Sequence, residues 1–238
     1  MTSANPIEIS HIQWHEARRI ISSRFPPIDL FDDVADPSDW PLIISAEQKT
    51  NPRLMETIGN LDLVPPKRWV AGQAASFLMA PFTHVSPDRP GRFHDGTYGA
   101  LYIAHDFETA LAETIHHHEI FMAKTAEPAG WACQFRELIL SVDAPLHDLR
   151  PIATIAAGAL DQSDYTQSHA LATQLRATGS EGIVYPSVRN ANGECCALFY
   201  PNLASRPVQA RHLDYHWNGQ KVDFYRIAGT GEVFALEE

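Results

Sequence analysis

Long apolar stretches are missing from this chain of 238 residues: no run approaches the ~18 consecutive apolar residues of a membrane-spanning helix. Cysteine is scarce. The three present, Cys133, Cys195 and Cys196, are odd in number, two are adjacent, and no CxxC pair occurs, which excludes a disulfide framework, a zinc knuckle and a thioredoxin-like redox pair. The opening residues, Met1 to Pro6, lack the basic and apolar regions of a secretory leader. Together these absences predict a soluble protein of the reducing cytoplasm with no membrane partner. Basic residues are few as well. Eighteen Lys+Arg against 29 Asp+Glu give a formal charge of −11, which argues against a broad electrostatic grip on a nucleic-acid backbone. A nucleotide is not excluded, because one or two locally placed arginines hold a diphosphate within an acidic protein.

What is present suffices for a large core: 45% of residues are hydrophobic and 10% aromatic, and the length suits one large domain spanning 1–238. Ten of the 17 prolines fall between Pro26 and Pro90, so residues 25–90 are expected to form an irregular elaboration of turns, extended pieces and short helices. Apolar anchors such as Phe31, Trp40, Trp69 and Phe77 set this stretch apart from a flexible linker. No internal repeat or low-complexity tract is present.

From Gly99 the pattern sharpens. Residues 99–104 form a short apolar run with strand propensity, and Asp106 is placed to cap a helix over 107–122. Phe107, Leu111, Ile115, His118 and Met122 share its core stripe, whereas Glu113 points away from Leu111 toward solvent or a cleft, flanked by His116 and His117. Residues 132–142 predict a strand, and Asp164 with Gln167 predicts a helix start running to about Gly179. Strands follow over 182–185 and 194–200, the second burying at least one of Cys195 and Cys196. Asn218-Gly219 marks a hairpin inside a β-rich tail, 205–238, expected to be a meander. The fold class is therefore α+β, with a mixed central sheet and flanking helices.

Chemically capable residues concentrate in Gly91-Arg92-Phe93-His94-Asp95-Gly96-Thr97-Tyr98-Gly99 and the following Leu101-Tyr102. Taken alone, the segment is better explained as a glycine-rich turn whose arginine makes a surface ion pair, since Gly and Asp mark turns more often than sites. The same holds for Glu113 as a solvated helix carboxylate and for Ser187 as a strand terminus, around which no Gly-x-Ser-x-Gly elbow exists. Glu113 and His116 also form a Glu-x-x-His element of the kind used in di-metal bundles. Those sites also need a second such element and two further carboxylates presented by a bundle of four long helices, and the sequence offers no such four-helix pattern, so no metal is expected.

Jointly, these segments resemble the RES domain family. Arg92 in Gly-Arg-Phe, Tyr102 in Leu-Tyr-Ile-Ala, Glu113 in Thr-Ala-Leu-Ala-Glu, and Ser187 with Arg189 in Pro-Ser-Val-Arg carry the resemblance, which spans about 14–201. Arg19 is similar to the arginine on that family's first strand, with Arg18 adjacent to it. The long Pro-rich stretch and the β-rich tail depart from the compact members. The resemblance implies a fold similar to the ADP-ribosyltransferase toxins and an active site for NAD. It also implies a toxin of a toxin–antitoxin pair with an Xre-like antitoxin, consuming NAD by hydrolysis or phosphorolysis of the nicotinamide–ribosyl bond. The alternatives are ADP-ribosylation of a protein and an inactive binding module.

The chemistry fits those residue types. A carboxylate stabilises an oxocarbenium-like ribose, which suits Glu113. Guanidinium groups bind the diphosphate, which suits Arg19 and Arg92. Tyr102 is expected to stack on nicotinamide or bind the ribose, Ser187 to bind the ribose or carboxamide, and Arg189 to receive inorganic phosphate if that is the acceptor. No cofactor beyond NAD as substrate is implied.

Overall fold

A computed structural model describes residues 7–33, 36–47, 54–154 and 156–236; the leader reading of residues 1–6 lies outside them. Eight strands and six α-helices, joined by short 3-10 turns, are found among these residues. The strands are β1 (Ile9–Ser22), β2 (Leu101–Ala104), β3 (Trp131–Asp148), β4 (Gly182–Pro186), β5 (Glu194–Leu198), β6 (Val208–Trp217), β7 (Val222–Ile227) and β8 (Val233–Ala235). The helices are α1 (Asp29–Asp32), α2 (Trp40–Glu47), α3 (Leu54–Ile58), α4 (Ser76–Thr83), α5 (Phe107–Met122) and α6 (Thr166–Ala177). None among the described residues is long and apolar enough to cross a membrane.

The sheet runs β1-β2-β5-β4-β3-β6-β7-β8 and is mixed, since β3 and β4 are parallel while the other pairs are antiparallel. β1 also pairs with β3, from Ile9↔His147 to Ser22↔Phe135, so the first five strands of that order close into a ring. Alternation along β3 explains the ring's filling. Leu138, Leu140, Val142, Ala144 and Leu146 face one side and pack with Val184, Cys196, Leu198, Leu101 and Ile103. The opposite face, including Ile183, Cys195 and Ala197, packs against Leu111 of α5 and Leu175 of α6.

The Pro-rich segment builds its own cluster around Phe31, Trp40 and Ile58, with Trp40 stacked on Trp69 at 5.4 Å. Helix α4 joins this cluster to the ring, because Met79 faces one and Phe77, Leu78 and Phe82 face the other. Gly99 then lets the chain pass beneath α4 into β2: a Cβ there would stand 2.2 Å from the Pro81 carbonyl oxygen.

Helix α5 follows its sequence pattern closely. The Asp106 carboxylate accepts from the Thr109 N–H at 2.8 Å, capping the first turn. Leu111, His118 and Met122 are buried on its core stripe, and His118 packs edge-on against Phe135. Several boundaries differ from the sequence expectation, β5 among them, which ends at Leu198 and not at residue 200. β3 continues through Pro145 to Asp148, paired with β1 throughout. Helix α6 starts after Tyr165, with Asp164 accepting from the Thr166 N–H and Gln167 lying over Gly158 instead of closing a capping box. Pro186 is the last residue of β4.

One ion cluster locks β1, β3 and β6 together. Glu137 of β3, 1% exposed, accepts from Arg211 Nε and Nη2 at 2.6 and 3.0 Å, and Arg18 Nε of β1 lies 3.1 Å from the same carboxylate. Arg211 in turn lies over the Phe107 ring at 3.7 Å, tying in the first turn of α5. Removing one partner of such a cluster strands the others. Glu137→Ala is therefore expected to cost ~3–5 kcal/mol in urea unfolding, whereas Glu16→Ala, an exposed partner of Arg18, changes stability by less than ~1 kcal/mol. Equal effects of the two substitutions would contradict the locking role of Glu137.

Candidate active site

β1 and β2 pair at a single position, Arg18↔Ala104, and their parting beyond it opens a cleft roofed by α5. The cleft is open to solvent and holds a cavity of about 260 Å³, just below the ~300–1,000 Å³ typical of small-ligand sites. Arg18, Arg19, Arg92, Tyr102, Glu113, Thr114, His117, Tyr165, Tyr185 and Cys195 contribute side chains or backbone to its wall.

The two adjacent arginines of β1 differ in electrostatic state. Arg18 is neutralised by the Glu137 cluster. Arg19 donates Nη1 to the Tyr102 carbonyl at 2.7 Å and has no carboxylate within ion-pair distance among the described residues; its buried Nε has no partner. Desolvation lowers its pKa to about 10, which still leaves it cationic at neutral pH. A half-buried cation with a buried, unused donor is an arrangement that an anionic ligand completes.

Arg92 is buried. Its Nη1 donates to the Asp161 carbonyl and, at 3.5 Å, to that of Ala159, while its guanidinium stacks on the Tyr165 ring at 4.8 Å. The loop that carries Arg92 is stapled from below. The Phe93 N–H donates to the Tyr102 hydroxyl at 2.8 Å, and burial pushes that phenol's pKa up, so Tyr102 stays neutral. His169 of α6 reaches the Gly91 carbonyl at 2.8 Å.

Glu113 projects from the polar side of α5 into the cleft, resolving the choice between solvent and cleft that its helical phase left open. Its Oε1 accepts from Ser187 Oγ at 2.7 Å, with Cys195 Sγ 3.9 Å away. Ser187 Oγ accepts in return from the Arg189 and Asn190 N–H groups, both at 3.1 Å. Ser187 thus sits behind Glu113 and is absent from the cleft wall. The 187–193 loop is held to α5 by Asn190 Nδ2 donating to Thr109 Oγ1 at 2.9 Å; a Cβ at Gly193 would stand 2.2 Å from that hydroxyl. Arg189 does not line the cleft either. It donates to the Gln162 side chain at 3.1 Å and to the Gln162 carbonyl at 2.5 Å.

The structure therefore brings Arg19, Arg92, Tyr102 and Glu113 to one cavity, and sets Ser187 and Arg189 in its supporting loop. The sequence reading missed His117, Tyr165, Tyr185 and Cys195 as wall residues. His117 had a signal, since it lies one turn beyond Glu113 on the same helix face. Cys195 also had one: strand alternation separates it from Cys196, which faces the ring interior. Burial keeps both thiols protonated at neutral pH.

His94, beneath the Arg92 loop with its ring 5.9 Å from that of Tyr102, has a pKa lowered to about 4, first by burial and then by His169. Its folded value lies below the unfolded 6.5, so its contribution to stability is present above pH 6.5 and is lost as pH falls toward about 4. An NMR titration should show His94 changing charge near pH 4; a midpoint near 6.5 would mean that the 91–94 loop is not packed as described.

A family model described as the RES domain matches residues 65–218, more than half of the chain, including Arg92, Tyr102, Glu113, Ser187 and Arg189 but not Arg19. The chain is 28% identical over 214 residues to the "Uncharacterized protein y4oC" of Sinorhizobium fredii (strain NBRC 101917 / NGR234), with 87% of this chain and 85% of that protein covered. A chain in the crystal structure of the M. tuberculosis MbcT-MbcA toxin-antitoxin complex aligns with 53% of this chain, 72% of its own length being covered, at 15% identity and a TM-score of 0.38.

Proposed function

This chain belongs to the RES domain family, and from that premise we propose that it cleaves the nicotinamide–ribosyl bond of NAD as a toxin-type enzyme. The observation that carries the reading is the pairing across one cleft of a half-buried cation, Arg19, without a carboxylate partner among the described residues, with a single carboxylate, Glu113, held in place by Ser187. A dinucleotide needs both. Its diphosphate seeks guanidinium groups, and Arg19 and Arg92 supply them at the cost of exchanging backbone carbonyls for phosphate oxygens. Its nicotinamide ribose develops positive charge as the bond breaks, and Glu113 stabilises that charge without forming a covalent intermediate.

Tyr102, Tyr165 and Tyr185 supply apolar walls for rings. Ser187 acts in this scheme through Glu113, fixing one carboxylate oxygen so that the other is free for the ribose. Arg189 stands near enough to act on His116 and His117 electrostatically and is the candidate for receiving inorganic phosphate as co-substrate. An Xre-like antitoxin partner belongs to the same proposal and rests on family membership.

The test is nicotinamide release from NAD by purified protein, with and without inorganic phosphate. Glu113→Ala is expected to lower kcat on the order of 10²–10³-fold, and Arg19→Ala to act chiefly on KM. Free ADP-ribose names water as acceptor, its 1″-phosphate names phosphate, and label fixed on polypeptide names protein ADP-ribosylation. Undiminished turnover by a folded Glu113→Ala protein would overturn the assignment.

A further inference from the structure

Water attacking the ribosyl carbon must lose a proton, and the cleft wall offers few groups able to take it. Tyr102, Tyr185 and Cys195 are held neutral by burial, each with its ionisation pushed up. The Thr114 hydroxyl is spent on the Ala110 carbonyl at 2.7 Å. The arginines are donors alone. Glu113 has one oxygen bonded to Ser187, and the proposed role of the other is to face the ribose.

His117 differs from all of these. It lines the cleft one helical turn beyond Glu113, its side chain is open to solvent, and it hydrogen-bonds to no described residue; its ring packs against His116 at 5.5 Å. Glu113 and His116 of its own helix, Arg92 of the 91–94 loop and Arg189 of the 187–193 loop are the charged and titratable groups acting on it. The cleft walls around the ring desolvate it in part although its outer edge is exposed; this is the largest effect and lowers its pKa, Glu113 opposes it, and Arg189 and Arg92 add to the lowering. The imidazole is accordingly neutral at pH 7, with a free lone pair.

We infer that His117 is the general base for the attacking water, so that Glu113 and His117 divide charge stabilisation and proton removal between two successive turns of α5. The inference rests on the proposed NAD-cleaving reading and deepens it. In the step, the water oxygen bonds to the anomeric carbon of the nicotinamide ribose as the carbon–nitrogen bond breaks. The bonding pair leaves with the ring nitrogen, which discharges the pyridinium, and the water proton passes to His117, which returns it to solvent. No oxidant or reductant is needed. An anionic nucleophile such as azide brings no proton to remove and makes the base dispensable.

The test compares wild type, His117→Gln, His117→Ala and Glu113→Ala with NAD in phosphate-free buffer, with and without sodium azide. Thermal unfolding checks that each variant folds. Both His117 variants are expected to lose hydrolysis by about 10²–10⁴-fold in kcat with little change in KM, and azide is expected to restore nicotinamide release with ADP-ribosyl azide as product. Glu113→Ala should not be restored. Undiminished hydrolysis by the His117 variants, a loss that azide leaves in place, or azide rescue of Glu113→Ala would each overturn the role of His117. A wild-type protein that releases no nicotinamide overturns the NAD reading itself, and this inference with it.

Discussion

The buried Glu137 carboxylate is the constraint on which the rest depends. A carboxylate with 1% of its surface exposed is tolerable only when fully compensated, and Arg211 and Arg18 compensate it from two neighbouring strands. This cluster sits where β1 leaves β2 and stays with β3. Because β1 is fixed to β3 at that point, its divergence from β2 is a fixed feature of the fold, and the cleft is the space that the divergence leaves.

The charge pattern of the cleft follows from the same cluster. Arg18 is consumed by Glu137, so the cationic character of the wall comes from Arg19 on the next residue of the strand and from Arg92 in the loop opposite. Glu113 is oriented by a chain of hydrogen bonds running from Thr109 through Asn190 to the loop amides and Ser187. Each functional group is thus set by a second group behind it, as catalysis by preorganised charge requires. The segment 159–162 closes the arrangement, since its carbonyls hold Arg92 and Arg189.

Much of this was legible in the sequence where one local signal dominated. Helix α5 was readable to its ends because an Asp cap, a five-residue apolar stripe and a following turn agree. The Asn218-Gly219 turn between β6 and β7 was readable for a similar reason, within the β-rich tail expected from residue 205. Failures occurred where tertiary pairing overrode local preference. Pro145 and Asp143 discourage a strand, yet they lie on the outward positions of β3, where pairing with β1 carries them. The choice between Arg18 and Arg19 was not legible, because it depends on a carboxylate 119 positions beyond Arg18 in the chain. The placements of Ser187 behind Glu113 and of His117 on the cleft wall were hidden for the same reason: only the folding of the 187–193 loop and the parting of β1 from β2 turn a polar helix face into the roof of a cleft.

The central claim is that this cleft holds a dinucleotide with its diphosphate at the arginines and its nicotinamide ribose at Glu113. A crystal structure of Glu113→Gln soaked with NAD tests it most directly. The account predicts phosphate oxygens within hydrogen-bond distance of the Arg19 and Arg92 guanidinium groups and a ribose hydroxyl at the side chain of position 113. NAD bound elsewhere, or bound here in the reverse orientation, would contradict it.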